Sequence, residues 1–250
     1  MKTTTQNRAA LTAKHFVARL KQHASPSDAA QMQRYFKTAP GEYGAGDVFI
    51  GVRMGNVFAL AKEFAEMPLD EIEKLLESPI HEARAGAVSI MDFQARRKKT
   101  SDARRQELFE LYLRRHDRIN NWDLVDRSAM YVVGGYLYDK PRAVLYRLAR
   151  SKNIWERRTA IVSTAYFIRQ RDLDDTFKLA EMLLRDEHDL IHKATGWMLR
   201  AAGDADRKRL LEFLEQHAAT MPRTMLRYAI EHFDQKQRAK YMKKRVTGKG

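Results

Sequence analysis

Pro79-Ile-His-Glu-Ala-Arg-Ala-Gly-Ala-Val-Ser89 lies over Asn153-Ile-Trp-Glu-Arg-Arg-Thr-Ala-Ile-Val-Ser163 with Ile, Glu, Arg, Val and Ser in common, 74 residues apart. That is two periods of about 37, the spacing of a helical hairpin stacked on its own copies. Asp189 to Thr195 fits the same template 35 residues beyond the second segment, and Asn121-Trp-Asp-Leu-Val-Asp126 precedes it at an offset of 32. Unequal spacings of this kind are those of HEAT-like arrays, so the reading is an all-α helical repeat solenoid.

The rest of the chain agrees with that reading. Leu108, Leu111 and Tyr112, or Leu179, Met182 and Leu183, recur at i, i+3, i+4, and no segment alternates as a half-buried strand would. Start signals stand at Ser101, at Pro141, at Asp172 and Asp174, and at Pro222, from which a helix is expected to run to Phe233. About a dozen helices of roughly 10 to 18 residues result. Thr38 to Asp47, TAPGEYGAGD, is the one sizeable irregular stretch, and its glycine spacing without a preceding strand reads as a connecting loop rather than a dinucleotide cradle.

Charge narrows the partner. Among 250 residues, 46 Lys and Arg stand against 32 Asp and Glu, a net +14 that favours an extended polyanion, nucleic acid before an anionic membrane. Seven of the basic residues lie between Lys236 and Gly250 with no acid among them, which reads as a solvated basic tail after a single repeat domain over residues 1–235. The densest other run, Arg96 to Lys99 with Arg104 and Arg105, brackets an interhelix turn at Thr100 and Ser101. No cysteine is present, which removes a disulfide framework, a thiol nucleophile and a thiolate metal site. The longest apolar stretch, Ala129 to Tyr138, is half the roughly 20 residues that cross a bilayer, and the N-terminus has no secretory pattern. A soluble cytoplasmic protein is expected.

The repeat alignment puts Arg84, Arg158 and Lys193 at one position of the second helix, on a concave basic face, and Asp126 at that position in a fourth repeat. A carboxylate there disfavours a phosphate backbone, so either it serves chemistry or it pairs with a neighbouring Arg. Trp122, four residues before Asp126, shares its helix face, and Asp123 at the helix start complements the helix dipole. An aromatic face beside a carboxylate suits glycoside cleavage, whose oxocarbenium-like transition state an anion stabilises. Trp197 in a later repeat offers a second wall, both indoles being open to plain core packing, and Trp155 reads as core. His188-Asp-Leu-Ile-His192 departs from a helical zinc motif and lacks a third ligand, so no metal and no other cofactor is expected.

Several ordered motifs now define a resemblance. Arg34-Tyr-Phe-Lys37, Gly41-Glu-Tyr-Gly44, Phe49-Ile-Gly-Val52, Asn121 to Asp126, Asn153 to Arg158 and Lys193-Ala-Thr-Gly-Trp-Met-Leu-Arg200 together resemble the DNA alkylation repair family, the AlkD-like HEAT-repeat DNA glycosylases, over Arg34 to Phe233. The resemblance implies Asp126 as the catalytic carboxylate, with Trp122 and Trp197 as aromatic walls against the deoxyribose. It implies Arg158 as a backbone contact and Tyr35 as a further contact in the cleft, beside Arg84 and Lys193 from the repeat register. The implied reaction is hydrolysis of the N-glycosidic bond of positively charged N3- or N7-alkylpurines in duplex DNA, in base excision repair, by a monomer at the nucleoid. The competing class is a non-catalytic DNA-binding or protein-interaction module.

Overall fold

The computed structural model describes residues 11–243, and their regular structure is helical; the one bridge between extended segments among them joins Val48 to Ile80. The chain divides between Val132 and Val133 into two compact units, each with its own core. The first holds α1 (Ala13–Lys21), α2 (Pro26–Tyr35), α3 (Met54–Glu63), α4 (Leu69–Leu76), α5 (His81–Arg96), α6 (Asp102–Arg114) and α7 (Trp122–Ala129). A π-helical stretch, Met130–Gly134, carries the chain onward. The second unit holds α8 (Ala143–Leu148), α9 (Ile154–Arg169), α10 (Asp174–Met182), α11 (Asp189–Ala205), α12 (Arg207–His217), α13 (Arg223–Ala229) and α14 (Gln235–Lys243). This is the all-α repeat that the periodicity predicts.

Local chemistry sets the helix ends. Ser101 accepts from the Arg104 amide and Asp206 from the Arg209 amide, each satisfying an N–H that has no partner within its helix. In the first unit α5 is the central element: fourteen of its residues are buried, and α3, α4 and α7 all pack on it. Its composition explains why, because Ala83, Ala85, Gly86 and Ala87 let neighbouring helices approach closely. A Cβ on Gly86 would sit 2.3 Å from the Phe16 ring. In the second unit α11 has this place, packed by α9 and α13.

Two expectations are corrected. The helix after Pro222 ends at Ala229 instead of Phe233. Of the basic tail, Lys236 to Lys243 belongs to α14, where Tyr241 is buried and donates to Glu215 at 2.9 Å; residues 244–250 lie outside the described residues. An aromatic anchor outweighed the charge pattern there.

The repeat register is also off by one residue for the first repeat. Arg84, fourth residue of α5, donates to the carbonyls of Ser78 and Pro79, six and five residues back. In α9 it is Arg157, again fourth, that donates to Ser151 and Lys152, at the same separations. His192, fourth in α11, bonds the Asp186 carbonyl six residues back. Arg84 thus corresponds to Arg157 and His192. The fifth position, which holds Asp126 in α7, holds Ala85, Arg158 and Lys193 in the other three helices. The Arg157-Arg158 doublet allowed either pairing in sequence, and one residue turns a helix face by about 100°.

Candidate active site

Ala85 and Asp126, matched in register, both line a cleft of about 700 Å³ in the first unit. Its walls are Met32, Tyr35, Phe36, Met54, Phe58 and Trp122, and its charged groups are Asp28, Arg53, Asp123, Asp126 and Arg127. Trp122 and Asp126 lie one turn apart on α7 and reach it together. The Trp122 indole stacks on Phe36 with centroids 5.2 Å apart and planes 10° from parallel, while Tyr35 meets it edge-on at 5.9 Å. Tyr35 is 66% exposed, so its ring is open to whatever enters the cleft. Arg127 is half-buried below, its guanidinium over the rings of Phe58 and Phe93 and 3.1 Å from the buried Asp92. Burial lowers the Arg127 pKa and raises that of Asp92, whose attraction to Arg127 and Arg96 offsets part of the shift.

Beneath this cleft lies a polar cluster that sequence reasoning missed. His81, fully buried at the first position of α5, bonds Asp47 through Nδ1 at 3.1 Å and Asp123 through Nε2 at 2.8 Å. Arg84 donates to the other oxygen of Asp47, and Asn121 donates to Asp47 at 2.9 Å. Burial opposes protonation of the ring, but the two carboxylates outweigh it and push the His81 pKa up to about 9. Burial likewise works against the charge on Asp47, and its bonds to His81 with the charge of Arg84 bring it down to about 2. The Phe36 and Phe49 rings lie against the imidazole, at 5.0 and 4.5 Å.

The loop motifs hold this cluster. Glu82, also fully buried, accepts the amides of Ile50, Gly51 and Val52 at 2.8 to 3.3 Å, so one carboxylate fixes Phe49-Ile-Gly-Val52 against the start of α5. The Asp47 end of the loop is fixed in turn by the bonds of Val48 N–H to Pro79 and His81 N–H to Val48.

The other sequence-derived residues separate. Arg84 is 2% exposed and engaged with Asp47, Ser78 and Pro79, so it is a structural guanidinium and not a groove cation: the register that assigned it a phosphate was one residue out. Arg158 is 5% exposed and donates to the Leu190 carbonyl at 2.6 Å, joining α9 to the first turn of α11 inside the second unit. Lys193 is half-exposed and pairs with Asp189 one turn back at 2.8 Å. Trp197 is half-buried on α11, in the second unit, and Trp155 is buried as its apolar position predicts. His188 caps α11 by accepting from Leu190, and His192 turns to the Asp186 carbonyl.

Residues 16–233 match the family model described as DNA alkylation repair enzyme. The chain belongs to that family. Membership places it in the repair of alkylated DNA, in agreement with the resemblance carried by its motifs. A solved structure described as a predicted DNA alkylation repair enzyme from Enterococcus faecalis shares its fold, with a TM-score of 0.67 at 20% identity over 85% of this chain and 98% of that one. No curated protein matches the chain. Among the described residues no helix is long and apolar enough to cross a membrane.

Proposed function

We propose that this family member is a DNA glycosylase that hydrolyses the N-glycosidic bond of N3- or N7-alkylated, positively charged purines in duplex DNA, opening base excision repair. The observation that carries the reading is Asp126 beside Trp122 in an apolar, aromatic-walled cleft of a chain from the alkylation repair family. A cationic purine leaves with the electron pair of its glycosidic bond and becomes neutral, so no acid is needed to protonate it. Positive charge then builds on the deoxyribose. The Asp126 carboxylate stabilises that charge from the wall of the cleft, and water adds to the sugar carbon with loss of a proton.

Trp122, stacked on Phe36 and met by Tyr35, gives a rigid π-face for the same cationic sugar. Trp197, Arg158 and Lys193 belong to the second unit; the first two enter the proposal through the resemblance and Lys193 through the repeat register. Trp197→Ala measures what that unit contributes to the rate. Duplex DNA bearing alkylated bases is the proposed partner, met by a monomer in the cytoplasm at the nucleoid, and no cofactor is required for this chemistry.

The test is base release from duplex DNA. The protein should free 7-methylguanine and leave uracil in place, because a neutral base departs poorly without an acid. Release of neither base, with duplex binding intact, would replace the enzyme by a binding module.

A further inference from the structure

Asn121, Trp122 and Asp123 are consecutive, and both neighbours of the indole are tied to the same buried pair. Asn121 donates to Asp47 at 2.9 Å while its own oxygen caps the Trp122 amide at 2.8 Å. Asp123 accepts from His81 at 2.8 Å, and the opposite nitrogen of that ring bonds Asp47 at 3.1 Å. The ring also packs on Phe36, the platform on which Trp122 stacks. One imidazole therefore links the loop at Asp47, the first turn of α5 and the first turn of α7.

We propose that His81 is a positioning residue for this site: bridging Asp47 and Asp123 as an imidazolium, it holds the Asn121-Trp122-Asp123 turn so that Trp122 and Asp126 face the cleft in the reactive arrangement. The inference rests on the glycosylase reading above. Doubly bonded to carboxylates, the ring must donate from both nitrogens, which only its protonated form does. The charged groups facing it are Asp47 from the loop, Asp123 from α7 and Arg84 from α5, the last with Nη2 at 3.5 Å from Nδ1. With His81 protonated these four charges, two negative and two positive, sum to zero. Deprotonation leaves a net negative cluster under the cleft and strips one carboxylate of its donor, the costly state for a buried acceptor. Asp123 is the more exposed to this loss, because its Oδ1 already has no hydrogen-bond partner among the described residues.

The experiment is single-turnover release of 7-methylguanine from duplex DNA between pH 6 and 10, with His81→Gln, Asp47→Asn, Asp123→Asn and the His81→Gln/Asp123→Asn double variant on one substrate. Wild type should lose rate as pH rises through about 9, the value to which its carboxylates push His81. His81→Gln should be slower at neutral pH by roughly 10- to 100-fold, the scale of a misplaced reacting geometry, and should lack that alkaline limb. Asp47→Asn, which removes one of the two carboxylates raising the pKa, should move the limb to lower pH. The double variant should be no slower than the slower single one, because both act through one contact.

A merely structural His81 would lower the rate without moving the limb. If His81→Gln keeps the wild-type rate and limb while Asp126→Asn is slowed by about 100-fold or more, this inference fails and the glycosylase reading stands. If His81→Gln does not fold by far-UV circular dichroism, an unmoved limb in Asp47→Asn overturns the proposal. If wild type releases no base, the glycosylase reading falls and takes this inference with it.

Discussion

His81 has a consequence for stability independent of catalysis. Its folded pKa, about 9, lies above the ordinary value of 6.5, so its contribution is complete below about pH 6.5 and is lost as pH rises through 9. Asp47 has the opposite sign: held at about 2 against 3.8, it contributes fully above about pH 4 and loses this as pH falls through 2. The unfolding midpoint should therefore be highest between about pH 4 and 6.5 and decline from 6.5 to 9, as thermal melts across that range measure. His81→Gln should flatten the alkaline decline; an equally steep decline in the variant would assign it to other groups. The sequence showed Asp126 as a lone acid among bases, because that contrast lies within aligned segments. It could not show the Asp47–His81–Asp123 bridge, whose partners are 34 and 42 residues apart and meet only through tertiary packing.

At the level of elements, the loop that precedes α3 is held by the Glu82 carboxylate and by close backbone packing at Gly51. Gly51 has φ +80°, and a Cβ there would stand 2.0 Å from the Ser25 carbonyl oxygen and 2.6 Å from the Ala29 nitrogen, both backbone atoms that cannot swing away. Gly51→Ala should cost at least about 2 kcal/mol by denaturant unfolding, through backbone strain and a forced shift of α2. Gly41 is the control, with φ +82° and no atom within 4 Å of its would-be Cβ, so Gly41→Ala should cost only about 1 kcal/mol. Equal costs at the two sites would show that crowding at Gly51 relaxes freely. Helix starts were legible where a capping residue announces them, as at Ser101, since the cap is a local bond. The one-residue register of α5 was not, because Arg157 and Arg158 match Arg84 equally well as letters and differ only in which carbonyls each can reach.

For the whole molecule, half of the net charge belongs to residues 236–250, and α14 takes up four of those seven cations, Lys236, Arg238, Lys240 and Lys243. Removing residues 244–250 deletes the other three, Lys244, Arg245 and Lys249, without touching Tyr241 or its bond to Glu215. Affinity for undamaged duplex should fall steeply with salt, with a log–log slope of about −0.9 for each neutralised phosphate. The truncated chain should show a shallower slope and an unchanged rate of base release at saturating protein. A slope unaltered by the truncation would put the phosphate contacts elsewhere on the protein.

The most direct measurement compares wild type with Asp126→Asn in single-turnover release of 7-methylguanine from methylated duplex DNA. The substitution keeps the shape of the side chain and removes the negative charge that the cleft presents to the developing sugar cation. The rate should drop by about 100- to 1000-fold, the usual loss of about 3 to 4 kcal/mol when one preorganised electrostatic contact to a transition state is removed. Duplex binding should hold or tighten, because an anion has left the site. Release by Asp126→Asn at the full wild-type rate would contradict the assignment of Asp126 as the catalytic carboxylate.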